Sequence, residues 1–326
     1  MSQPNREIAP GFMVIQGNRM EDLQQIAIEW SRTQPPAPLE REVYLVQSNG
    51  IAQWMKMALA ADPGTDGAGG MGIATALDVM LPARFQWLAY RQVIEQKEGK
   101  GAVPTASPFD KPMLRWRLMR MLPEKLSEPV YAPLAKFLDG DDGQRKQFQL
   151  AERLADLYDQ YQVYRADWLD QWTAGHDRII SPKGVEVPLQ DEDRWQAQLW
   201  RDIHDDMPSG ASSTHRAAVH SRFLEVARNL TPETLPTALP RRIVVFGISA
   251  LPQQTLEALE ALSGAAQVVL CVLNPCQHYW GDIIEDKDLL RTAYRRQSRR
   301  NDMPADLSLD DLHLHAHPLL AAWGKQ

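Results

Sequence analysis

Short apolar runs, each bounded by polar or turn residues, occur near both ends of the chain. Four of them have the length and nearly continuous apolar character of strands buried on both faces; they lie at 12–16, 42–47, 242–249 and 266–274. The first and third are followed by segments with helical periodicity, as in the recurrence of Leu256, Leu259 and Leu262. The pattern predicts strand–loop–helix units, and therefore an α/β protein with a parallel sheet.

Between about Phe85 and Leu230 the apolar positions follow the helical period instead. In the segment 145–164 one face carries a stripe of apolar residues, and the opposite face carries acids and amides. The predicted stripe comprises Leu150, Leu154, Leu157, Tyr158 and Tyr161. The simplest organisation is an α/β domain formed by 1–84 and 231–326, with an all-helical domain, 85–230, inserted into it.

Composition is ordinary for a globular protein with two domains: 326 residues, of which 44% are apolar and 24% charged. The sequence has no membrane-spanning apolar run and no signal peptide, and its two cysteines favour a cytoplasmic location. The net charge of −7 does not indicate general binding of nucleic acid, although five arginines cluster between Arg291 and Arg300. Such a cluster is also typical of a solvated surface. The final segment, HPLLAAWGKQ, has almost no polar tail, and we expect a longer polypeptide to follow it.

The residues that bind nucleotide phosphates are missing from the predicted sheet. A P-loop after the first strand requires a glycine-rich turn and a Lys-Ser/Thr pair. The loop QGNRMEDL has one glycine and brings the acids Glu21 and Asp22 instead. The strand 242–249 ends in Gly-Ile-Ser, where a Walker B strand ends in the aspartate that holds magnesium. The sequence therefore predicts neither an ATPase site nor any other intrinsic active site.

Two groups of residues have partial metal-ligand character. Cys271 and Cys276 flank the end of a predicted strand, and His313, His315 and His317 alternate along the chain. Neither group has the four-ligand spacing of a zinc site. Structural burial is the favoured interpretation for the cysteines, and no metal is predicted.

Five segments in order resemble the gamma subunits (RecC) of exodeoxyribonuclease V, the bacterial helicase–nuclease. They are LVQSNGIAQWMKM, QRKQFQLAERLADLYDQYQVYRADWLDQW, FGISALP, NPCQHYWGDI and PLLAAWGK, so the resemblance extends from about Phe12 to the last residue. It implies an inactive superfamily 1 helicase-like domain with an inserted all-helical domain. It also implies no cofactor in this chain, with ATP and magnesium held by partner subunits, beta (RecB-like) and alpha (RecD-like).

The role implied by the resemblance is structural and regulatory. Such a subunit holds the complex together and guides the separated strands during repair of double-strand breaks by homologous recombination. It also scans the unwound single strand for Chi, an octamer that switches the complex from degradation to recombination.

The resemblance further implies the residues that line the Chi-recognition channel. The matching positions after the second strand are Gln47, Asn49, Gln53, Leu81 and Trp87; those in and after the helical segment are Asp156, Leu157, Asp159, Gln160, Arg165 and Arg216. Amide and carboxylate groups can hydrogen-bond to exposed base edges, and aromatic or apolar groups can stack on bases. The arginines can hold phosphate or pair with the acids. Helical spacing puts Asp156, Asp159 and Gln160 on one face, whereas Leu157 falls on the apolar stripe.

Some positions depart from the family pattern, so the base sequence of the recognised octamer is not predicted. Asn49 stands where a hydroxyl residue such as threonine is expected, and the segments 62–72 and 180–193 are longer than usual. The sequence also allows two alternatives to Chi recognition. One is a protein-interaction scaffold without sequence-specific recognition, which would not bring Gln47, Gln53, Trp87 and Asp156 into one connected channel. The other, an independent NTPase, requires a phosphate site that the sequence does not contain.

Overall fold

The structure is a computed structural model that describes residues 8–37, 39–64, 69–140, 144–181, 184–208 and 214–274. Its strands are β1 (Gly11–Gly17), β2 (Glu42–Val46), β3 (Leu77–Met80), β4 (Arg178–Ile180), β5 (Glu186–Pro188), β6 (Arg242–Phe246) and β7 (Gln267–Leu273). Its helices are α1 (Met20–Thr33), α2 (Asn49–Ala60), α3 (Pro82–Glu98), α4 (Lys111–Lys125), α5 (Ala132–Leu138), α6 (Arg145–Tyr164), α7 (Ala166–Thr173), α8 (Arg194–Asp205), α9 (Arg216–Ala227) and α10 (Gln253–Ser263). A short 3-10 helix, Pro129–Tyr131, precedes α5.

The described strands β1, β7, β6, β2 and β3 form, in that order, a parallel sheet. The four predicted strands are confirmed as β1, β2, β6 and β7. The strand β3 was not predicted from the sequence, because it is an edge strand of only four residues, all half-buried. The third predicted strand ends at Phe246 rather than at Ser249. Gly247 adopts a left-handed φ of +67°, and a Cβ there would lie 3.0 Å from Cε of Met20, so glycine is favoured at this exit from the sheet.

Alternate residues of the central strands face opposite sides of the sheet, and both sides are covered by helices. Val43 and Leu45 of β2 belong to one hydrophobic cluster with residues of α3, α9 and α10. Tyr44 and Val46 belong to another with residues of α1 and α2. The continuous apolar character of β2 in the sequence thus follows from burial on both faces.

A third hydrophobic cluster lies among helices that fall between β3 and β6 in the sequence. It includes buried residues from Phe109 to Met207, drawn from α4, α6, α7 and α8 among others, with Trp172 and Trp200 fully buried. The helices α3 and α9 flank this segment but bury residues against the sheet. The bounds 85–230 for an inserted domain stay a prediction.

The helix α6 has the predicted bounds, but its buried face differs from the predicted stripe in two residues. Leu150, Leu154 and Tyr158 are buried, whereas Leu157 and Tyr161 are half-buried, and of these two Tyr161 still packs against the helical cluster. At 3.6 residues per turn, Leu157 lies about 100° around the helix axis from the centre of the buried face. In the described part of the chain, none of the helices combines the length and apolar character needed to span a membrane.

Candidate nucleic-acid interface

A cleft of about 1040 Å³ lies where the strands β2, β3 and β6 end. Its lining includes Gln47, which follows β2, and Leu81, which follows β3. The loop after β6 contributes Leu251, and α3, α6, α9 and α10 supply further lining residues. The chain leaves β2 for one side of the sheet through α2 and leaves β6 for the other side through α10. Parallel sheets commonly bind ligands at such a switch point, outside the carboxyl ends of the strands.

Six of the eleven site residues implied by the family resemblance line this cleft: Gln47, Leu81, Trp87, Asp159, Gln160 and Arg216. The first three come from the sheet and α3, and the other three come from α6 and α9. The fold therefore brings together side chains from two distant parts of the sequence.

Trp87 forms part of an apolar wall of the cleft. Its indole Nε1 donates to the carbonyl oxygens of Pro104 and Thr105, at 3.2 Å in each case. The ring is half-buried and makes an edge contact with Tyr90, at 6.3 Å between ring centroids. These contacts fix the orientation of the indole, while Leu81 beside it is 48% exposed. A wall of this kind can support a stacked base.

Another part of the lining carries paired charges. The guanidinium of Arg216, in the first turn of α9, lies 3.0 Å from Oδ1 of Asp110 and 3.4 Å from Oδ1 of Asp159. Burial raises the pKa of Asp159 above its usual range, and the attraction of Arg216 offsets this only in part. Within the described ranges, Oδ1 of Asp159 has no hydrogen-bond partner. That atom is buried, so a ligand in the cleft can reach only the rest of the Asp159 side chain, which is 29% exposed.

Two other expected residues, Asp156 and Arg165, make ionic contacts outside the cleft. Asp156 forms an ion pair with Lys111, at 2.7 Å, which lowers the pKa of the carboxyl group. Arg165 bonds to the carboxylate of Asp167 at 3.1 and 2.9 Å and stacks 4.2 Å above the ring of Trp168. It thereby closes the junction between α6 and α7.

Asn49, Gln53 and Leu157 also lie outside the cleft lining. Asn49 begins α2, and Gln53 is exposed one turn later. Leu157 is half-buried on α6. Sequence-specific recognition was expected to bring Gln47, Gln53, Trp87 and Asp156 into one connected channel, and a protein-interaction scaffold was not. Gln47 and Trp87 line the cleft, whereas Gln53 and Asp156 do not.

Two arginines of α3, which precede and follow Trp87 in the sequence, line the cleft and were not predicted as site residues. Arg84 is exposed and has no ion pair within the described part of the chain. Arg91 lies 3.7 Å from Glu95, and its Nε has no described hydrogen-bond partner. The spacing Arg84, Trp87, Arg91 (i, i+3, i+7) was available as a signal of one helix face. Among the described residues, four arginines and three aspartates line the cleft.

No group of three described His, Cys, Asp or Glu side chains is arranged to hold a metal ion. Cys271 is a buried residue of β7, as its predicted burial requires, and burial raises the pKa of its thiol to about 11. The reduced thiol therefore stays protonated at neutral pH. Cys276, the three alternating histidines and the cluster Arg291–Arg300 lie outside the described residues.

The fold and the cleft define a protein with a parallel α/β sheet, a separate helical cluster and a ligand cleft at the carboxyl ends of its strands. The family model described as "RecC, N-terminal domain" matches residues 12–326. The chain therefore belongs to the RecC family, in agreement with the resemblance found in its sequence.

Individual relatives agree with this assignment. The chain is 36% identical over 320 residues to the RecBCD enzyme subunit RecC of Escherichia coli (strain K12), covering 94% of this chain and 26% of that protein. It is 34% identical over 347 residues to the RecC subunit of Haemophilus influenzae, covering 96% of this chain and 29% of that protein. The RecC subunit of Mycolicibacterium smegmatis is 24% identical over 299 residues. The chain thus spans less than a third of the length of these relatives.

Proposed function

We propose that this chain is part of a non-catalytic subunit of a RecBCD-type helicase–nuclease and that its cleft accepts unwound single-stranded DNA. The α/β domain would be an inactive superfamily 1 helicase-like fold, into which the helical cluster is inserted. RecB-like and RecD-like subunits would be its cytoplasmic partners and would hold ATP and magnesium. The subunit scaffolds them and recognises Chi during recombinational repair of double-strand breaks.

One observation carries the proposal: six positions implied by the family resemblance, from separate parts of the sequence, line one cleft. Their chemistry suits single strands, because unpaired bases expose hydrogen-bonding edges and faces. Trp87 supplies a stacking surface, and each stacked base is worth about 1–3 kcal/mol. Gln47 and Gln160 supply amide donors and acceptors.

The charges of the cleft suggest how the strand is oriented. Asp159 repels phosphate, so the wall formed by α6 and α9 faces the bases. The arginines of α3, Arg84 and Arg91, face the phosphates. Contact with the backbone is thus assigned to Arg84 and Arg91, and contact with the bases to Asp159 and to Trp87, which lies between the two arginines in the sequence of α3.

A second candidate function is a protein-interaction scaffold without sequence-specific recognition. Exposed apolar side chains away from the cleft favour a role in protein contacts: Met113 is 57% exposed, Trp116 is 58% exposed and Phe137 is 51% exposed. This function is compatible with the first one, but alone it does not explain why polar residues converge on the cleft.

The deciding experiment measures Chi-dependent products and unwinding rate in the complex reconstituted from the full-length subunit and its two partners. The variants are Gln47→Ala and Trp87→Ala. The matched controls are Gln149→Ala, an exposed amide of α6, and Trp195→Ala, a half-buried indole in the helical cluster. We expect the cleft variants to lose Chi-specific products at an unchanged unwinding rate, and the controls to retain both. Persistence of both activities in the cleft variants would favour the scaffold, and equal loss of both would assign these residues a structural role.

A further inference from the structure

A chain of side-chain hydrogen bonds lies beneath the cleft and joins α3, α9 and α10. The hydroxyl of Thr255 donates to Oε1 of Gln86 at 3.0 Å, and Nε2 of Gln86 donates to the hydroxyl oxygen of Tyr90. Tyr90 in turn lies 2.6 Å from Nδ1 of His220, and Nε2 of His220 lies 2.8 Å from Oε2 of Glu257. Gln86, Tyr90 and Thr255 line the cleft, although Tyr90 and Thr255 are largely buried, and His220 is buried outside the lining.

Glu257, at one end of this series of hydrogen bonds, determines which group donates and which accepts in each bond. Burial opposes ionisation of this carboxyl group, but hydrogen bonds from His220 and Gln253 hold its pKa below the usual range. Burial lowers the pKa of His220, with Glu257 opposing the shift. At neutral pH the pair is therefore a carboxylate and a neutral imidazole. A carboxylate only accepts hydrogen bonds, so Nε2 of His220 carries the proton and Nδ1 carries a lone pair.

The donor and acceptor roles of the remaining hydrogen bonds, as far as Gln86, follow from this. Because Nδ1 of His220 accepts, the hydroxyl of Tyr90 donates to it, and the oxygen of Tyr90 accepts from an amide N–H. The NH2 group of Gln86 must face Tyr90, and its carbonyl must face Thr255. A free glutamine amide can exchange these two ends by rotation. Here a rotated amide would set its carbonyl against a hydroxyl oxygen that has no proton to give.

A locked amide distinguishes two classes of base. Adenine and cytosine present a ring acceptor beside an exocyclic amino donor, whereas guanine and thymine present a ring N–H beside a carbonyl acceptor. An amide that rotates freely can pair with either arrangement, but a fixed amide pairs with only one at a given base position. After the bonds to Tyr90 and Thr255, Gln86 still has one N–H and one lone pair available.

We propose that Gln86 is a specificity-determining contact of the cleft, and that Tyr90, His220 and Glu257 are positioning residues that fix its donor and acceptor toward a base. The inference rests on the proposed binding of single-stranded DNA in the cleft. Gln86 discriminates amino bases from keto bases at one position of the bound strand.

The test measures Kd for oligonucleotides in which adenine is exchanged for guanine, and cytosine for thymine, at one position at a time. It uses the full-length subunit in its complex. In the wild type one position should show roughly tenfold discrimination, as expected for one pair of hydrogen bonds to a base. Glu257→Gln keeps the shape of the side chain but can both donate and accept. The donor and acceptor roles along the hydrogen bonds to Gln86 are then no longer determined. It should reduce the discrimination to about twofold or less and leave Kd for the preferred strand within about twofold.

Tyr90→Phe interrupts the same chain by a different change and should give the same relaxed preference. Agreement between the two variants separates loss of positioning from local misfolding at either site. If both variants keep the wild-type discrimination, the inference is wrong. Trp87→Ala tests the proposed function separately: if it leaves affinity unchanged, single strands do not bind in this cleft. If Trp87→Ala weakens binding while Glu257→Gln and Tyr90→Phe change no preference, only the role of Gln86 is overturned.

Discussion

The guanidinium of Arg216 lies 3.4 Å from Oδ1 of Asp159, and this ion pair joins α9, which packs on the sheet, to α6 of the helical cluster. The pair lines the cleft rather than lying in the core. Burial nevertheless raises the pKa of Asp159. An acid whose pKa is higher in the folded state favours folding at low pH, and that contribution is lost as the pH rises through the folded pKa. Ionised Asp159 is therefore unfavourable to the fold at pH 7.

Asp159→Asn should consequently leave the free energy of unfolding at pH 7 unchanged or higher, while Chi-dependent product formation is lost. Urea unfolding of the chain and product analysis of the reconstituted complex give the two readouts. Asp156→Asn is the control for stability, because Lys111 lowers the pKa of Asp156 and this change should weaken the fold slightly. A marked loss of stability in Asp159→Asn would show that Asp159 mainly supports α9 through Arg216.

The arginines of α3 should determine how binding of single strands depends on salt. Each phosphate contact on a single strand contributes about 0.7 to the slope of log K against log salt concentration. Arg84→Gln and Arg91→Gln should each reduce that slope by about this amount without changing the preferred sequence. Anisotropy titrations of the full-length complex at several salt concentrations measure it. Arg194→Gln, an exposed arginine of α8 outside the cleft, should have no effect. Equal slopes in all three variants would contradict a phosphate-binding role for α3.

A buried ion pair at the amino ends of β2 and β6 should be one of the most sensitive sites for stability. The side chain of Arg242 is fully buried, lies 2.6 Å from Oε1 of Glu42 and donates to Gln267 at 2.7 Å. Removing one partner of a buried pair leaves an uncompensated charge and costs about 3–5 kcal/mol.

Glu42→Ala should therefore lower the free energy of unfolding by about this amount. The double variant Glu42→Leu/Arg242→Met should be less destabilised than Glu42→Ala, because it removes both charges. Urea unfolding of the single and double variants makes the comparison. If the double variant loses as much free energy of unfolding as its two single changes together, the two side chains act independently.

The sequence predicted the parts of the fold in which a local pattern and its burial coincide. After their first residues, Glu42 and Arg242, β2 and β6 are apolar because both faces are covered, and α6 shows a long helical period, so their positions were clear. β3 was missed because Leu77–Met80 is an edge strand that needs little apolar character. The end of β6 was misplaced because Gly247 turns the chain by conformation rather than by polarity.

Only part of the cleft could be predicted from the sequence. The family resemblance supplied Gln47 and Trp87, but Arg91, Gln86 and Thr255 line the cleft because of how α3 and α10 pack. The resemblance also grouped Arg165 with the cleft residues, whereas its contacts close the junction of two helices. Such distinctions depend on tertiary contacts that a sequence pattern does not encode.

His215 should make the chain sensitive to mild acid. Its Nδ1 accepts a hydrogen bond from the backbone N–H of Ala218 at 3.4 Å and thereby caps α9. Burial, with a smaller contribution from nearby His204, lowers the pKa of His215 from 6.5 to about 4. Below pH 6.5 the unfolded chain takes up the proton and the folded chain does not, so stability falls as the pH is lowered toward 4. The loss from this group alone is about 3 kcal/mol.

His215→Asn keeps a side chain that can cap the helix but does not titrate. As the pH falls from 6.5 to 4, the free energy of unfolding of this variant should therefore decrease less steeply than that of the wild type. The difference in slope should correspond to roughly one proton. Urea unfolding at several pH values measures the slope. His176→Asn, a change at an exposed histidine, should leave the slope unchanged. If His215→Asn also leaves it unchanged, the acid sensitivity arises from other groups, such as the half-buried His204, whose ring centroid lies 5.2 Å from that of His215.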